Sequence, residues 1–225
     1  MAHRGASAIE LENTTLAFAR ALEMGADAVE LDVRRCGSGE LIVHHDAKLS
    51  DGRTIISVDK KDLPSHVPTL SEALDACGSM WVNIEIKNDP KEPDFDPQEI
   101  TTRRVAEFLR ERGSIDKWLI SSFRRETVDL LRKIMPELKT AWLVMTIDHA
   151  KLDAVAIEMA SQGHTALHPW VKQLSLQMVE VFHRHGLQIN TWTCDDPTRM
   201  RELFEWQVDG ICTNVPDLAL QVVNS

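Results

Sequence analysis

Residues 28–45 read AVELDVRRCGSGELIVHH, and two features of this stretch decide how the chain is read. Side chains of a strand alternate between its faces, so in a strand over 28–33 Glu30 and Asp32 must point to the same side. The interval 34–40 is too short for a crossover helix, so the next apolar run, 41–44, must return as the second arm of an antiparallel hairpin. A turn centred on Gly37 and Ser38 sets His45 opposite Glu30. The stretch therefore brings a histidine to a pair of carboxylates.

Outward from this hairpin, strand-sized apolar runs alternate with longer segments of helical period, which is the rhythm of a parallel α/β protein. Strands are predicted at 2–4, 28–33, 41–44, 81–86, 119–121, 141–144, 166–168, 188–191 and 210–213. Helices are predicted at 14–24, 71–76, 97–112, 125–134, 150–162, 176–185, 197–206 and 217–223. Asn13 or Thr14 serves as the first N-cap and Gly25 as its stop, while Pro97 and Pro197 suit first helical turns. With the return strand set aside, eight strands remain, enough to close a (β/α)8 TIM barrel with a β-hairpin extension after strand 2. The expectation is one domain over 1–225. In such barrels the chemistry sits at the C-terminal ends of the strands. Glu30, Asp32, Glu85 and Lys87 lie near those ends, and Glu85 and Lys87 again share one side of a strand.

The chain of 225 residues is 43% hydrophobic and carries a formal net charge of -10. That suffices for one substantial core and argues against a nucleic-acid partner or an anionic membrane surface. No apolar run is long enough to span a bilayer, so no stable membrane insertion is expected. Cys36, Cys77, Cys194 and Cys212 are too widely spaced for a zinc motif and read as reduced thiols of a cytoplasmic protein. The first motif begins almost at Met1, which leaves open whether residues precede it. The assembly reads as a monomer or small homo-oligomer.

Three carboxylates and an ammonium facing one interior cost several kcal/mol per ion, by rough estimate, unless a cation or counter-charge offsets them. Ordinary ion pairs, Glu85 with Lys87 or Glu30 with Arg4, would leave more acids than nearby cations. An oxygen-only ligand set of this kind favours one hard divalent cation, Mg²⁺ or Ca²⁺. The segments His3-Arg4-Gly5-Ala6-Ser7, Glu12-Asn13-Thr14, Gly25-Ala26-Asp27, Glu30-Leu31-Asp32-Val33, His45-Asp46, Pro68-Thr69-Leu70 and Glu85-Ile86-Lys87 resemble, in order and spacing, the glycerophosphodiester phosphodiesterase family of the phospholipase C-like phosphodiesterase superfamily. Ser121-Ser122-Phe123, His168-Pro169-Trp170, Trp192-Thr193 and Asp209-Gly210 extend the likeness over nearly the whole chain.

The resemblance implies Glu30, Asp32 and Glu85 as metal ligands and His3 and His45 as the acid/base pair, with His3 as base and His45 as acid. Histidines titrate near neutral pH, and each could contribute about 10²–10⁴-fold. Arg4 and Lys87 would share the phosphate charge. Trp192 and His168, with Trp170 near them, would wall the pocket of a small glycerophosphodiester, and Glu12 would either orient Arg4 or begin a helix. His66, His149, His164, His183 and His185 read as surface or loop residues.

Such an enzyme would convert glycerophosphocholine or glycerophosphoethanolamine to sn-glycerol 3-phosphate and an alcohol. The attacking oxygen would come from water or from the substrate's own 2-hydroxyl. Two rivals are weighed: a lysophospholipase D, which needs an apolar rim where these loops read as polar, and a catalytically silent barrel that binds glycerol phosphates. The stretch 46–68 reads as short and polar, a modest lid. Two departures from the family pattern stand out, a very short first strand and Asn214 where an aspartate is usual.

Overall fold

A computed structural model of the chain describes residues 1–224. Strand β1 (Ala2–His3) pairs in parallel with β2 (Ala28–Arg35), and β3 (Leu41–Val43) returns antiparallel along β2. The parallel path continues from β2 through β4 (Trp81–Ile86), β5 (Trp118–Ser122), β6 (Lys139–Val144), β7 (Ala166–Pro169), β8 (Gln188–Thr191) and β9 (Gly210–Ile211). The two ends meet: Ala2 bridges Thr213, the His3 N–H donates to the Thr213 carbonyl at 2.8 Å, and the Thr213 N–H donates to the Met1 carbonyl at 3.0 Å. A barrel of eight parallel strands results, with the β2–β3 hairpin as its extension. Closure through a first strand of two residues is enough because the hydrogen bonds run to both neighbours.

The helices follow the expected alternation: α1 (Thr15–Glu23), α2 (Leu70–Ala76), α3 (Ile100–Arg112), α4 (Arg125–Ile134), α5 (Leu152–Ser161), α6 (Leu176–Arg184), α7 (Pro197–Glu205) and α8 (Pro216–Val223). Their starts are chemically marked. Thr14 accepts the Ala17 N–H, Thr69 and Glu72 form a reciprocal capping box, and Asp196 caps a helix whose first residue is Pro197. Helix α3 departs from expectation, for it begins at Ile100 and leaves Pro97 in the preceding loop. The cause is Asp96, whose carboxylate accepts the Gln98 and Ile100 N–H groups and so turns the chain before the helix opens.

Strands β2 and β4 show the logic of the fold. Val29, Leu31, Val33, Val82, Ile84 and Ile86 face outward and pack with Phe18, Leu70, Leu74, Val105 and Leu109 of the helical layer. The alternate residues, Glu30, Asp32, Asn83 and Glu85, are buried and polar. Period-two alternation thus assigns apolar side chains to the helices and polar ones to the barrel interior.

The hairpin register is shifted by one residue from expectation: Val33 pairs with Val43 and Arg35 with Leu41. The turn is a three-residue loop, with Gly39 at φ +95, the Gly39 N–H donating to Cys36 and the Cys36 N–H donating to Glu40. A glycine in the left-handed region adds the extra residue. His45 therefore lies beyond the paired strand. The segment expected to be polar instead carries a small core of its own, in which Leu49, Ile55, Val58, Leu63 and Val67 pack on Cys36 and Ile42. No described helix is long and apolar enough to cross a membrane.

Gly5 follows β1 at φ +84, and an added Cβ would stand 2.6 Å from the Ala17 carbonyl carbon; Gly25 has φ +83 with open space around it. Gly25→Ala is expected to lower the unfolding free energy by about 1–2 kcal/mol through backbone strain alone. Gly5→Ala should cost about 1–3 kcal/mol more through the clash. Urea unfolding of both variants checks this, and equal losses would show that the approach of Gly5 to α1 is not a tight constraint.

Candidate active site

Sheet register assembles the acids. His3 of β1 is the partner of Glu30 on β2, and Asp32 one step higher is the partner of Glu85 on β4. Oxygens of Glu30, Asp32 and Glu85 lie within 4.8 Å of one another, and the three residues are 4%, 1% and 7% exposed. Among the described residues they are the one cluster of three or more acids, histidines or cysteines spaced to hold a metal ion.

Two cations answer three carboxylates. Lys87 Nζ lies 2.6 Å from Glu85 Oε1 and 3.0 Å from Asp32 Oδ1, and Arg4 Nε lies 3.3 Å from Asp32 Oδ2. Glu30 takes only the Arg4 backbone N–H, at 3.1 Å to Oε2, and its buried Oε1 has no hydrogen-bond partner. Burial, with the charges of Asp32 and Glu85 beside it, pushes the Glu30 carboxyl well above its usual range. Burial also raises Glu85, against the pull of Lys87. Asp32 is equally buried, but Lys87 and Arg4 outweigh its desolvation and hold its carboxyl low. The cluster is one positive charge short, and the shortfall falls on Glu30.

Several groups fix these side chains. Asn13, at φ 58, donates from Nδ2 to Asp32 Oδ2 at 2.7 Å and accepts the Asp32 N–H. Of the two readings of Glu12, the pairing with Arg4 is the one observed, since both carboxylate oxygens lie 3.0 Å from Arg4 Nη1.

The two histidines are tethered differently. His3 Nδ1 meets Asn214 Oδ1 at 2.7 Å, and Nε2 faces Glu30 Oε2 at 4.0 Å. His45 Nδ1 meets the Asp46 carboxylate at 2.7 Å. Burial lowers the pKa of both rings, helped by Arg4 at His3 and by Lys87 at His45. The main chain at His45 is held by Arg34, only 1% exposed, whose Nε and Nη2 donate to the His45 carbonyl at 2.9 and 2.6 Å. Arg34 in turn pairs with Asp94 at 2.6 Å and Glu92 at 2.8 Å, in the loop after β4.

A cavity of about 200 Å³ opens beside this cluster, with His3, Arg4, Glu30, His45, Glu85 and Lys87 on one side. Phe123, Leu143, His168 and Trp192 line the other side. Trp192 stands edge-on to Phe123 at 5.3 Å and donates from Nε1 to the His168 carbonyl. His168 is 2% exposed and accepts at Nε2 from Asn190. A larger cavity, about 400 Å³, lies toward the other end of the barrel among Trp81, Leu119, Phe204 and Leu220, and shares Met1, Asn83 and Asn190 with the first.

The residues singled out from sequence, His3, Arg4, Glu12, Glu30, Asp32, His45, Glu85, Lys87, His168 and Trp192, thus gather at one end of the barrel. Trp170 does not line the cavity and packs against the apolar cluster of the second half-barrel. His164 is not a surface residue; it is buried between Thr140 Oγ1 and Asp129, each at 2.9 Å. Sequence reasoning passed over Asn13, Arg34 and Phe123 as site residues. Asn13 and Phe123 sit inside the quoted motifs, while Arg34 carries no signal because its acidic partners, Glu92 and Asp94, lie 58 and 60 residues away.

The sequence profile of the glycerophosphoryl diester phosphodiesterase family matches residues 3–218. A glycerophosphodiester phosphodiesterase of Bacillus subtilis is 29% identical over 245 residues, covering 97% of this chain and 84% of its own. Among solved structures, an Oleispira antarctica phosphodiesterase in complex with the product sn-glycerol-3-phosphate superposes with a TM-score of 0.89 at 24% identity, over 100% of this chain and 96% of its own. A glycerophosphodiester phosphodiesterase of Agrobacterium tumefaciens gives 0.79 at 28% identity, over 97% of each chain.

His168 offers a measurable consequence of burial. Desolvation pushes its pKa down to about 3, whereas an unfolded histidine titrates near 6.5. The unfolded chain binds this proton first as pH falls. The contribution of neutral His168 is therefore complete above pH 6.5 and declines as pH drops from 6.5 toward 3. Urea unfolding at several pH values is expected to show the stability of the wild type falling more steeply below pH 6.5 than that of His168→Gln. Parallel curves from pH 7.5 to 5 would contradict the assignment.

Proposed function

The chain belongs to the glycerophosphoryl diester phosphodiesterase family, and we propose that it hydrolyses small glycerophosphodiesters such as glycerophosphocholine and glycerophosphoethanolamine to sn-glycerol 3-phosphate and an alcohol. The observation that carries this reading is the buried acid cluster, one charge short, at the wall of a cavity shared with two tethered histidines, an arginine and a lysine. The structure of the Oleispira antarctica relative holds sn-glycerol-3-phosphate, which is the product such a site would release.

The three carboxylates fit a divalent cation: the donors are all oxygens, and Glu30 Oε1 lacks any other partner. Glu30, Asp32 and Glu85 would hold it, and the oxygen set favours Mg²⁺ or Ca²⁺ over softer ions. When bound, the ion supplies positive charge against a non-bridging oxygen of the phosphate. The chain's own groups do the rest. Arg4 Nη2 and the remaining Lys87 proton are the donors for the other phosphate oxygens, whose charge grows during displacement.

The tethers support the division of labour between the histidines. His3 leans on a neutral amide, which fixes the ring without drawing a proton to Nε2, so it suits the base that takes the proton of the attacking oxygen. His45 leans on the Asp46 carboxylate, which works against the lowering of its pKa by burial and Lys87 and in that sense suits the acid that delivers a proton to the leaving alkoxide. Phe123 and Trp192 would flank the glycerol carbons. Four buried free cysteines support the reading of a reducing, cytoplasmic setting.

A second reading, a lysophospholipase D, gains support from one observation. Ile9 and Leu11, in the loop after β1, are 57% and 58% exposed, and so this rim is less polar than the sequence suggested. Lysophosphatidylcholine belongs in the same assay, and a faster reaction with it than with glycerophosphocholine would favour the second reading.

Purified protein is expected to release sn-glycerol 3-phosphate from glycerophosphocholine, to stop when chelator removes the cation, and to recover when Mg²⁺ or Ca²⁺ is returned. Activity persisting in metal-free protein would reject the cation. Inertness toward every glycerophosphodiester would leave a binding barrel. His45→Ala should lower kcat at least about a hundredfold, and near-normal turnover would remove His45 from the reaction. A substrate lacking the 2-hydroxyl distinguishes the attacking oxygens, for it reacts only if water attacks directly.

A further inference from the structure

We propose that Asn214 and Asp195, from the loops after β9 and β8, are positioning residues that hold the His3 imidazole in a single tautomer and orientation. The inference rests on the reading of His3 as the proton-accepting histidine. Its starting point is an ambiguity in the amide: a carboxamide can present either its oxygen or its NH₂ to an imidazole nitrogen. Turned one way, Asn214 would leave the proton on His3 Nδ1; turned the other way, on Nε2.

Asp195 resolves the choice. Asn214 Nδ2 lies 2.7 Å from Asp195 Oδ2, and a carboxylate can only accept there. The NH₂ group must face Asp195, so Oδ1 must face His3 Nδ1 at 2.7 Å. Nδ1 therefore carries the hydrogen, and the lone pair sits on Nε2, the nitrogen turned toward Glu30. The reverse orientation would set the amide oxygen against a carboxylate oxygen.

The anchor is itself fixed. Asp195 Oδ1 accepts the Thr213 hydroxyl and the Asn214 backbone N–H, both at 2.8 Å, and Thr213 Oγ1 accepts the Val215 N–H. Ser7 Oγ lies 2.7 Å from the His3 carbonyl and 3.0 Å from Asn214 Oδ1, which sets a hydroxyl donor against two acceptors. A chain of three polar side chains thus runs from a solvent-exposed carboxylate to the ring. The negative charge stays one residue removed from the imidazole, and the contact with the ring is neutral.

The direct test is ¹⁵N NMR of histidine-ring-labelled protein, with the His3 signals identified by their loss in His3→Gln. The wild type is expected to show the Nδ1–H tautomer. Asp195→Ala, which frees the amide to turn, and Asn214→Leu, which removes the acceptor, should each give a mixed or Nε2–H signature. With glycerophosphocholine each should lower kcat about 10- to 100-fold while KM changes less than about threefold. The double variant Asn214→Asp/Asp195→Asn keeps an acceptor at the ring and a donor behind it, and should restore the Nδ1–H signal and most of kcat.

An Nε2–H tautomer in the wild type would overturn the proposal, as would single variants with unchanged tautomer and kcat within threefold. A tautomer that responds in the variants while His3→Gln itself stays active would uphold the tether and refute the role of His3. Should Asn214→Leu fail to fold, Asp195→Ala, at an exposed position, carries the same decision.

Discussion

Three carboxylates confined within 4.8 Å of one another, with two cations to answer them, form the constraint from which the rest of this barrel takes its arrangement. Left alone, such a group would protonate or open toward water. Here strand pairing on both sides locks each acid and its neighbours are committed to it, Asn13 to Asp32, the Arg4 backbone to Glu30, Lys87 to Glu85 and Asp32, so the cluster stays closed and its cost appears as the raised pKa of Glu30 and Glu85. Protein groups hold the acids in position without neutralising them. A site of this kind stores unfavourable electrostatics in the fold, which a bound cation would relieve.

The surrounding loops extend the same scheme outward. Arg34 crosses from β2 to two acids of the loop after β4 and clamps the carbonyl of His45, while Asp195 reaches His3 through Asn214. Neither histidine is left to its own rotamer preferences. One ring meets a carboxylate directly and the other meets an amide, while burial lowers the pKa of both.

Much of this was legible in sequence because strand chemistry is local. The one-residue gap in Glu30-Leu31-Asp32 and in Glu85-Ile86-Lys87 dictates shared faces, and the short interval before Leu41 dictates a hairpin. The hairpin register was misjudged by one residue, since a single glycine at φ +95 adds a position to the turn. Helix α3 was begun too early, because Asp96 caps from outside the helix and Pro97 looked like a first-turn residue. Arg34 and Asp195 were invisible for a different reason. A charged residue on a strand or a loop reads as solvated until the partner is known, and both partners here come from distant segments. His164 does lie in a loop, between α5 and β7, but its burial is set by Thr140 and Asp129 rather than by its neighbours in the chain.

The seam of the barrel carries one further implication. The short segment Met1–His3 joins β9 to β2, and the His3 backbone N–H is itself one of the bonds that seal the cylinder. The residue bearing one of the two site histidines is therefore also a staple of the scaffold, at the place where the ladder is shortest. Brief fraying of this edge, an opening far smaller than global unfolding, would swing the imidazole away while the other seven strands stayed paired. Amide hydrogen exchange at this edge and the thermal half-life of the reaction should thus be governed by one and the same local event.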